Sequence, residues 1–175
     1  MPDLSLTEFQ SLALKALRGT GYHWGESEDG ARAARRLVEA GLPGVAALCL
    51  LVDSLPDPYL CPIRRGCALS DAPPELPCDL PDTVLPILLL PFLAPSPTAL
   101  VSGDGRGHTG PDGMAWSGPA DAMPCAVRLS VADSEPQRTP VTRAAITEAQ
   151  LALLQGFAHR TYAPATEESR AKGAG

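Results

Sequence analysis

The stretch that decides the fold of this chain runs from Ser5 to Gly25 and reads SLTEFQSLALKALRGTGYHWG. Ser5 and Glu8 have the spacing of a capping box, in which a hydroxyl and a carboxylate satisfy backbone N–H groups of the first turn. Apolar residues then recur at helical spacing and form one face, made of Phe9, Leu12, Ala13, Ala16 and Leu17. Gly19 is a natural stop. The sequence therefore predicts an amphipathic helix that ends at a glycine-rich turn.

Two more helices are predicted beyond this turn. The first extends from about Glu26 to Ala40, with acidic residues in its first turn and a buried stripe of small and apolar residues. The next extends from Pro43 to Asp53, because proline suits the first turn of a helix. Residues 45–52 are apolar on all sides, so we expect this third helix to be central and buried.

The composition changes after residue 53: prolines recur up to Pro97 and exclude long helices. Val84–Leu93 is predicted to be a strand, at a sheet edge or with a bulge because it contains two prolines. Residues 103–113 are rich in glycine and are predicted to form a mobile turn. Further strands are predicted at Ala99–Val101, from Met114 onward, at Cys125–Val131 and within Pro140–Ile146. A final helix is predicted to open at Thr147.

The order of these elements, helices followed by strands and a last helix, indicates an α+β fold. We predict an N-terminal three-helix segment, then a mainly antiparallel β-sheet, then a C-terminal helix. The length of 175 residues suits a single domain, placed at residues 1–162. Residues 1–53 are its helical part and residues 54–162 its proline-rich and β part. Residues 163–175 have no apolar periodicity and are predicted to be a flexible tail.

Composition and charge limit the classes of function. The chain has 14 Lys and Arg against 20 Asp and Glu, a net charge of −6, whereas a nucleic-acid binder usually carries a basic face. Its apolar runs are too short to cross a bilayer, and its first residues lack the charged-then-apolar pattern of a secretory signal. We therefore expect a cytoplasmic protein that binds neither nucleic acid nor membrane.

The five cysteines fit reduced thiols better than a disulfide framework, because their number is odd. Cys61, Cys67 and Cys78 have no CxxC spacing and no nearby histidine, so small packed residues are favoured over a structural zinc site. A catalytic thiolate beside Arg64 and Arg65 is an alternative that lacks an identifiable base. We predict neither a metal nor a cofactor.

The strongest candidate site is Tyr22, His23 and Trp24, which crowd between glycines in a chain with only three histidines and eight Phe, Tyr and Trp together. His23 could act as an acid or base near neutral pH, and the rings could stack on a planar ligand. Arg18 or Arg170 could orient a carboxylate. The predicted ligand-binding residues are therefore Arg18, Tyr22, His23, Trp24 and Arg170, and the alternative is a structural turn whose aromatic rings cap the core.

The other two histidines are assigned structural roles. His108 lies in the stretch GDGRGHTG, which matches neither a Walker A loop nor GxGxxG and is predicted to be a plain hairpin loop. His159 and Arg160 end the final helix, where positive charge complements the helix dipole.

Several segments together resemble the bacterial family called domain of unknown function 3726, and the likeness extends over nearly the whole chain. The segments are Ser5–Glu8, Ala16–Gly25, Gly41–Gly44, Cys61-Pro62, Gly66–Asp71, Leu88–Phe92 and Tyr162–Arg170. The resemblance implies a soluble bacterial protein and implies no activity.

Two functional hypotheses follow. The first is a non-catalytic accessory subunit or small-ligand-binding protein of bacterial metabolism, whose partner is a protein, a second copy of the chain or a small molecule. The alternative is a small metabolic enzyme that acts on a carboxylate-bearing metabolite with His23 as acid or base. An enzyme should place His23 and an arginine in one pocket, whereas a structural turn should bury Tyr22 and Trp24 and leave His23 at the surface.

Overall fold

The computed structural model describes residues 2–119, 123–133 and 140–162. Within these ranges the fold is α+β, as predicted, with four helices in the first 71 residues rather than three. The helices are α1 Leu6–Gly19, α2 Trp24–Glu39, α3 Gly44–Ser54, α4 Pro62–Asp71, α5 Leu90–Leu93 and α6 Glu148–His159. No helix in the described ranges is long and apolar enough to span a membrane.

The strands form two antiparallel sheets. A five-stranded sheet has the order β2-β6-β3-β4-β5, and a small sheet pairs β1 with β7. The strands are β1 Asp3–Ser5, β2 Cys78–Thr83, β3 Thr98–Ser102, β4 Gly105–Gly110, β5 Gly113–Ser117, β6 Cys125–Val131 and β7 Arg143–Ala145. The predicted strands at 99–101, from 114, at 125–131 and within 140–146 are all confirmed.

The helix ends follow the local signals. The Glu8 N–H donates to Ser5 Oγ at 3.2 Å, and the Ser5 N–H donates to the Glu8 carboxylate at 2.8 Å, so the predicted capping box is present. Thr147 and Gln150 make the same reciprocal pair at the start of α6. These bonds satisfy N–H groups that a helix leaves free at its first turn.

The prediction of a strand at Val84–Leu93 is wrong. A 3-10 turn at Pro86–Leu89 continues into α5, and its leucines are fully buried. Pro86 and Pro91 explain the difference, since each lacks the N–H that a sheet ladder needs and suits the first positions of a helical turn. Leu85 has a φ of 48°, so the backbone also leaves the extended region before the turn.

The prediction of a mobile glycine-rich turn at residues 103–113, with His108 in a hairpin loop, is also wrong. β4 occupies most of this stretch, and His108 lies on it opposite Ala99 and Ala115. The glycines make room for an aromatic ring, because a Cβ at Gly105 would approach the Trp116 ring to 2.5 Å. A strand in which three of six residues are glycine is stable here because a neighbouring ring covers it.

One continuous apolar core joins the helices to the sheet. Fully buried leucines from α1, α3, the 3-10 turn and β3 belong to it, namely Leu17, Leu48, Leu88 and Leu100. α1 packs against α2 on one side and α6 on another. The predicted tail at residues 163–175 lies outside the described residues.

Candidate functional site

A cleft of about 220 Å³ opens at the turn between α1 and α2. Thr20, Gly21 and Tyr22 of the turn form one wall. The opposite wall comes from the segment between α3 and α4 and from the first turn of α4, through Leu55, Pro56, Pro58, Cys61 and Arg64. The turn that the sequence singles out therefore borders a concave surface.

Tyr22 and Cys61 meet across this cleft. Both side chains are buried, and one hydrogen bond joins Tyr22 Oη to Cys61 Sγ at 3.2 Å. Burial raises the pKa of Tyr22 well above its ordinary value, and the bond to Cys61 raises it further. The phenol therefore stays neutral at physiological pH and can donate or accept a hydrogen bond.

Arg64 supplies the charge of the cleft. Among the lining residues in the described part of the chain, it alone carries a charge. Its Nε lies 3.1 Å from Glu26 Oε1, and the side chains are 37% and 21% exposed. This ion pair ties α4 to the first turn of α2 and leaves part of the guanidinium open to the cleft.

Arg18 braces the turn instead of lining the cleft. Its Nη1 donates to the Tyr22 carbonyl at 2.7 Å, and its guanidinium lies 5.6 Å from the centre of the Trp24 ring. The hydrogen bond to the Tyr22 carbonyl closes the turn. The cation–π contact is made with Trp24, whose side chain is 60% exposed.

His23 caps α2 with its backbone. Its N–H donates to Glu26 Oε2 at 3.1 Å, and its carbonyl accepts the hydroxyl of Ser27 at 2.9 Å. The His23 side chain is exposed and does not line the cleft. Burial of Tyr22 and exposure of His23 fit the structural reading of the turn, whereas exposure of Trp24 does not. Arg170 lies outside the described residues.

The sequence offers Cys61 as a packed residue, as a zinc ligand or as a thiolate with Arg64 as a cationic neighbour. In the structure, Cys61 bonds to Tyr22, and Arg65 turns away from it to donate to the Tyr59 carbonyl at 2.6 Å. The useful local signal was Pro62, which starts α4 and thereby fixes both side chains near its first turn.

Two further thiols, those of Cys67 and Cys49, are held in protonated form. Cys67 donates to Asp29 Oδ2 at 3.7 Å, and burial together with the Asp29 charge raises the pKa of Cys67 to about 12. Burial raises the pKa of Cys49 to about 11. The described residues contain no group of three His, Cys, Asp or Glu placed to hold a metal ion.

Comparison with known proteins finds a family model that matches the N-terminal part of the chain. The family model described as "Protein of unknown function (DUF3726)" matches residues 4–70, and this match supports membership of the chain in that family. The matched stretch extends from β1 into α4 and includes the whole α1–α2 turn. It does not reach 88–92 or 162–170, so it is shorter than the nearly full-length likeness expected from the sequence. No curated protein and no solved structure matches the chain.

Proposed function

We propose that this chain is a non-catalytic small-ligand-binding protein of the bacterial cytoplasm, and that its ligand enters the cleft at the α1–α2 turn. The observation that carries the proposal is the position of Arg64, a cation in the wall of a cleft whose opposite wall holds Tyr22. A cation beside a neutral hydrogen-bonding group is suited to a carboxylate that carries a second polar group.

The size of the cleft favours a small metabolite. Pockets for drug-sized ligands enclose roughly 300–1,000 Å³. At about 220 Å³, this cleft suits a short carboxylic acid better than a dinucleotide or other large cofactor.

The chemistry of the lining favours binding over turnover. A general acid or base needs a pKa near the working pH and a place within hydrogen-bond reach of the substrate. The raised pKa of Tyr22 keeps its proton in place, and a guanidinium stays protonated at neutral pH. His23, the acid or base of the enzyme alternative, does not line the cleft, so our proposal gives it no role there.

A role as accessory subunit is a second candidate, favoured by apolar side chains around the cleft. Leu55 is 51% exposed and lines the cleft, while Tyr59 is 86% exposed and adjoins the lining residue Pro58 in the chain. Exposed apolar surface next to a cleft is common where a protein partner docks. A stoichiometric complex from the native host that Tyr59→Ser loses and Val131→Ser keeps would support this role, and equal retention by both variants would contradict it.

The test of the binding proposal is a thermal-shift screen with short mono- and dicarboxylic acids. We expect at least one of these acids to raise the Tm of the wild type, because a ligand that binds only the folded state stabilises that state. Arg64→Gln should abolish the shift, while His23→Ala should retain it.

Two outcomes would contradict the proposal. A shift that His23→Ala abolishes and Arg64→Gln retains would move the site to the outer face of the turn and favour the enzyme alternative. Chemical conversion of the stabilising acid by the purified protein would show that the chain is catalytic.

A further inference from the structure

A second cavity, partly open to solvent, lies at the other end of α4. It measures about 240 Å³ and is lined mainly by apolar side chains and prolines, including Leu69, Pro74, Leu76, Phe92 and Leu93. The lining residue Phe92 packs directly on the backbone of Gly66 in α4, because a Cβ there would come within 2.3 Å of the Phe92 ring. The apolar cavity is therefore built by the packing of α4 against α5.

The apolar cavity adjoins a charged cleft. Ser70, Phe92 and Pro95 line both spaces, and the charged cleft adds Asp29, Arg32 and Arg36 from α2. Two guanidinium groups thus face one carboxylate at the entrance of an apolar space.

The two arginines are held differently. Arg36 Nη1 donates to the Pro91 carbonyl at 2.8 Å, so this guanidinium is fixed next to Phe92. Arg32 Nη1 lies 2.7 Å from Asp29 Oδ1, and its side chain is 60% exposed. Asp29 also accepts the Cys67 thiol, which ties the carboxylate to α4. The charges of Arg32 and Arg36 together exceed the charge of Asp29, so a net positive charge at the entrance is available to an anion.

We propose that the joined cavity and cleft form a second ligand site, which takes a soluble single-chain amphiphile with an anionic head, such as a medium-chain carboxylic acid. The alkyl chain enters the apolar cavity beside Phe92, where burial of apolar surface drives binding. The carboxylate stays at the entrance and pairs with Arg32 and Arg36. This site is independent of the cleft at Tyr22, from which it is separated by the length of α4.

The experiment is isothermal titration of the full chain with octanoate, 1-octanol and acetate. Octanoate should bind saturably, and 1-octanol should bind about tenfold more weakly because it lacks the charge. Acetate should not bind measurably, since it lacks the chain. Equal affinity for octanoate and 1-octanol, or no octanoate binding at millimolar concentration, would overturn the proposal.

Three variants locate the site. Ser70→Trp places a ring where the cavity meets the cleft and should abolish octanoate binding. Ala68→Trp is the matched control, because Ala68 is exposed on the same helix and lines neither space, and it should bind as the wild type does. Arg32→Gln should weaken octanoate about fivefold, the size expected for an exposed ion pair, and leave 1-octanol unchanged.

Two further results would count against the site. Wild-type affinity for octanoate in both Ser70→Trp and Arg32→Gln would place the ligand elsewhere. If Ser70→Trp fails to fold, wild-type affinity in Arg32→Gln alone would lead to the same conclusion. Association with phosphatidylglycerol vesicles without octanoate binding would indicate a lipid surface instead of a soluble acid.

Discussion

At the residue scale, Cys67 shows how a neighbour changes the chemistry of a side chain. Its thiol is half-buried and faces the carboxylate of Asp29, so the thiolate is disfavoured both by burial and by like charge. Because the thiolate is the reactive form, a raised pKa makes the thiol slow to react. Cys67 is thus a packing residue that also keeps Asp29 at the entrance of the second ligand site.

The reactivity of Cys67 is directly measurable. At pH 8 we expect iodoacetamide to alkylate Cys67 at least about tenfold more slowly than a cysteine in an unstructured peptide, because the pKa of Cys67 is raised to about 12. The rate is read by mass spectrometry of the Cys67 peptide. Asp29→Asn should speed the reaction in part, since burial remains, and a wild-type rate equal to that of the free peptide would contradict the pKa shift.

The same shifts predict how stability responds to alkali. A group whose pKa is raised by folding stabilises the protein fully below its unfolded pKa and loses this contribution as the pH rises toward the folded value. Cys67 and Cys49, with folded pKa values of about 12 and about 11, should therefore make the free energy of unfolding fall between pH 9 and 12. Urea unfolding at several pH values measures this slope.

The control for the alkaline slope is Cys67→Ala. It removes one of the two shifted thiols, so the free energy of unfolding should fall less steeply above pH 9 than in the wild type. An unchanged slope would mean that Cys67 titrates alike in the folded and unfolded states.

At the element scale, the contact between α1 and α6 depends on Gly19. A Cβ at this position would lie 1.8 Å from the Phe157 carbonyl oxygen, a backbone atom that cannot move without shifting α6. Gly156, the preceding residue in α6, has nothing within 4 Å of its own Cβ position. A side chain is therefore excluded at Gly19 and has free space at Gly156, although both glycines belong to the same pair of helices.

Substitution by alanine separates these roles. Gly19→Ala should destabilise the protein by about 2 kcal/mol or more, because α6 must move to relieve the overlap. Gly156→Ala should stabilise it by about 0.5–1 kcal/mol, since alanine is the better helix former. Chemical denaturation measures both values, and a stabilised Gly19→Ala variant would contradict the close approach.

The elements that the sequence predicts correctly are those with local signals. The caps of α1 and α6 depend on residues three positions apart, so both could be found without knowing the fold. Val84–Leu93 carries no such signal, because a short apolar run fits a buried strand and buried helical turns equally well. β4 has no strand signal in the sequence, because glycine disfavours strands and the stabilising Trp116 ring comes from a neighbouring strand.

The candidate site could be predicted in part for the same reason. The turn at Tyr22 is visible as a local cluster of rings and glycines. Its partner across the cleft, Cys61, is 39 residues away, and no periodic pattern relates the two. Arg64 reaches the cleft because α4 packs near α2, which is a property of the tertiary structure.

At the scale of the whole molecule, the continuous apolar core should make helices and sheet unfold together. The two tryptophans of the chain, Trp24 at the start of α2 and Trp116 in β5, report on the two halves separately. We expect Trp24→Phe and Trp116→Phe to show coincident fluorescence transitions in urea, each also matching the circular dichroism transition. Separate midpoints for the two remaining tryptophans would show that the halves are independent folding units.

The pairing of β1 with β7 has a consequence for synthesis on the ribosome. Asp3 and its ion-pair partner Arg143 are 140 residues apart, and at about 5–20 residues per second the second emerges roughly 7–28 s after the first. Throughout this interval β1 lacks its partner strand β7, and α1 lacks the cover of α6. A nascent chain that stalls before residue 143 therefore presents an open apolar helix face, the kind of surface that chaperones bind and that proteases reach first.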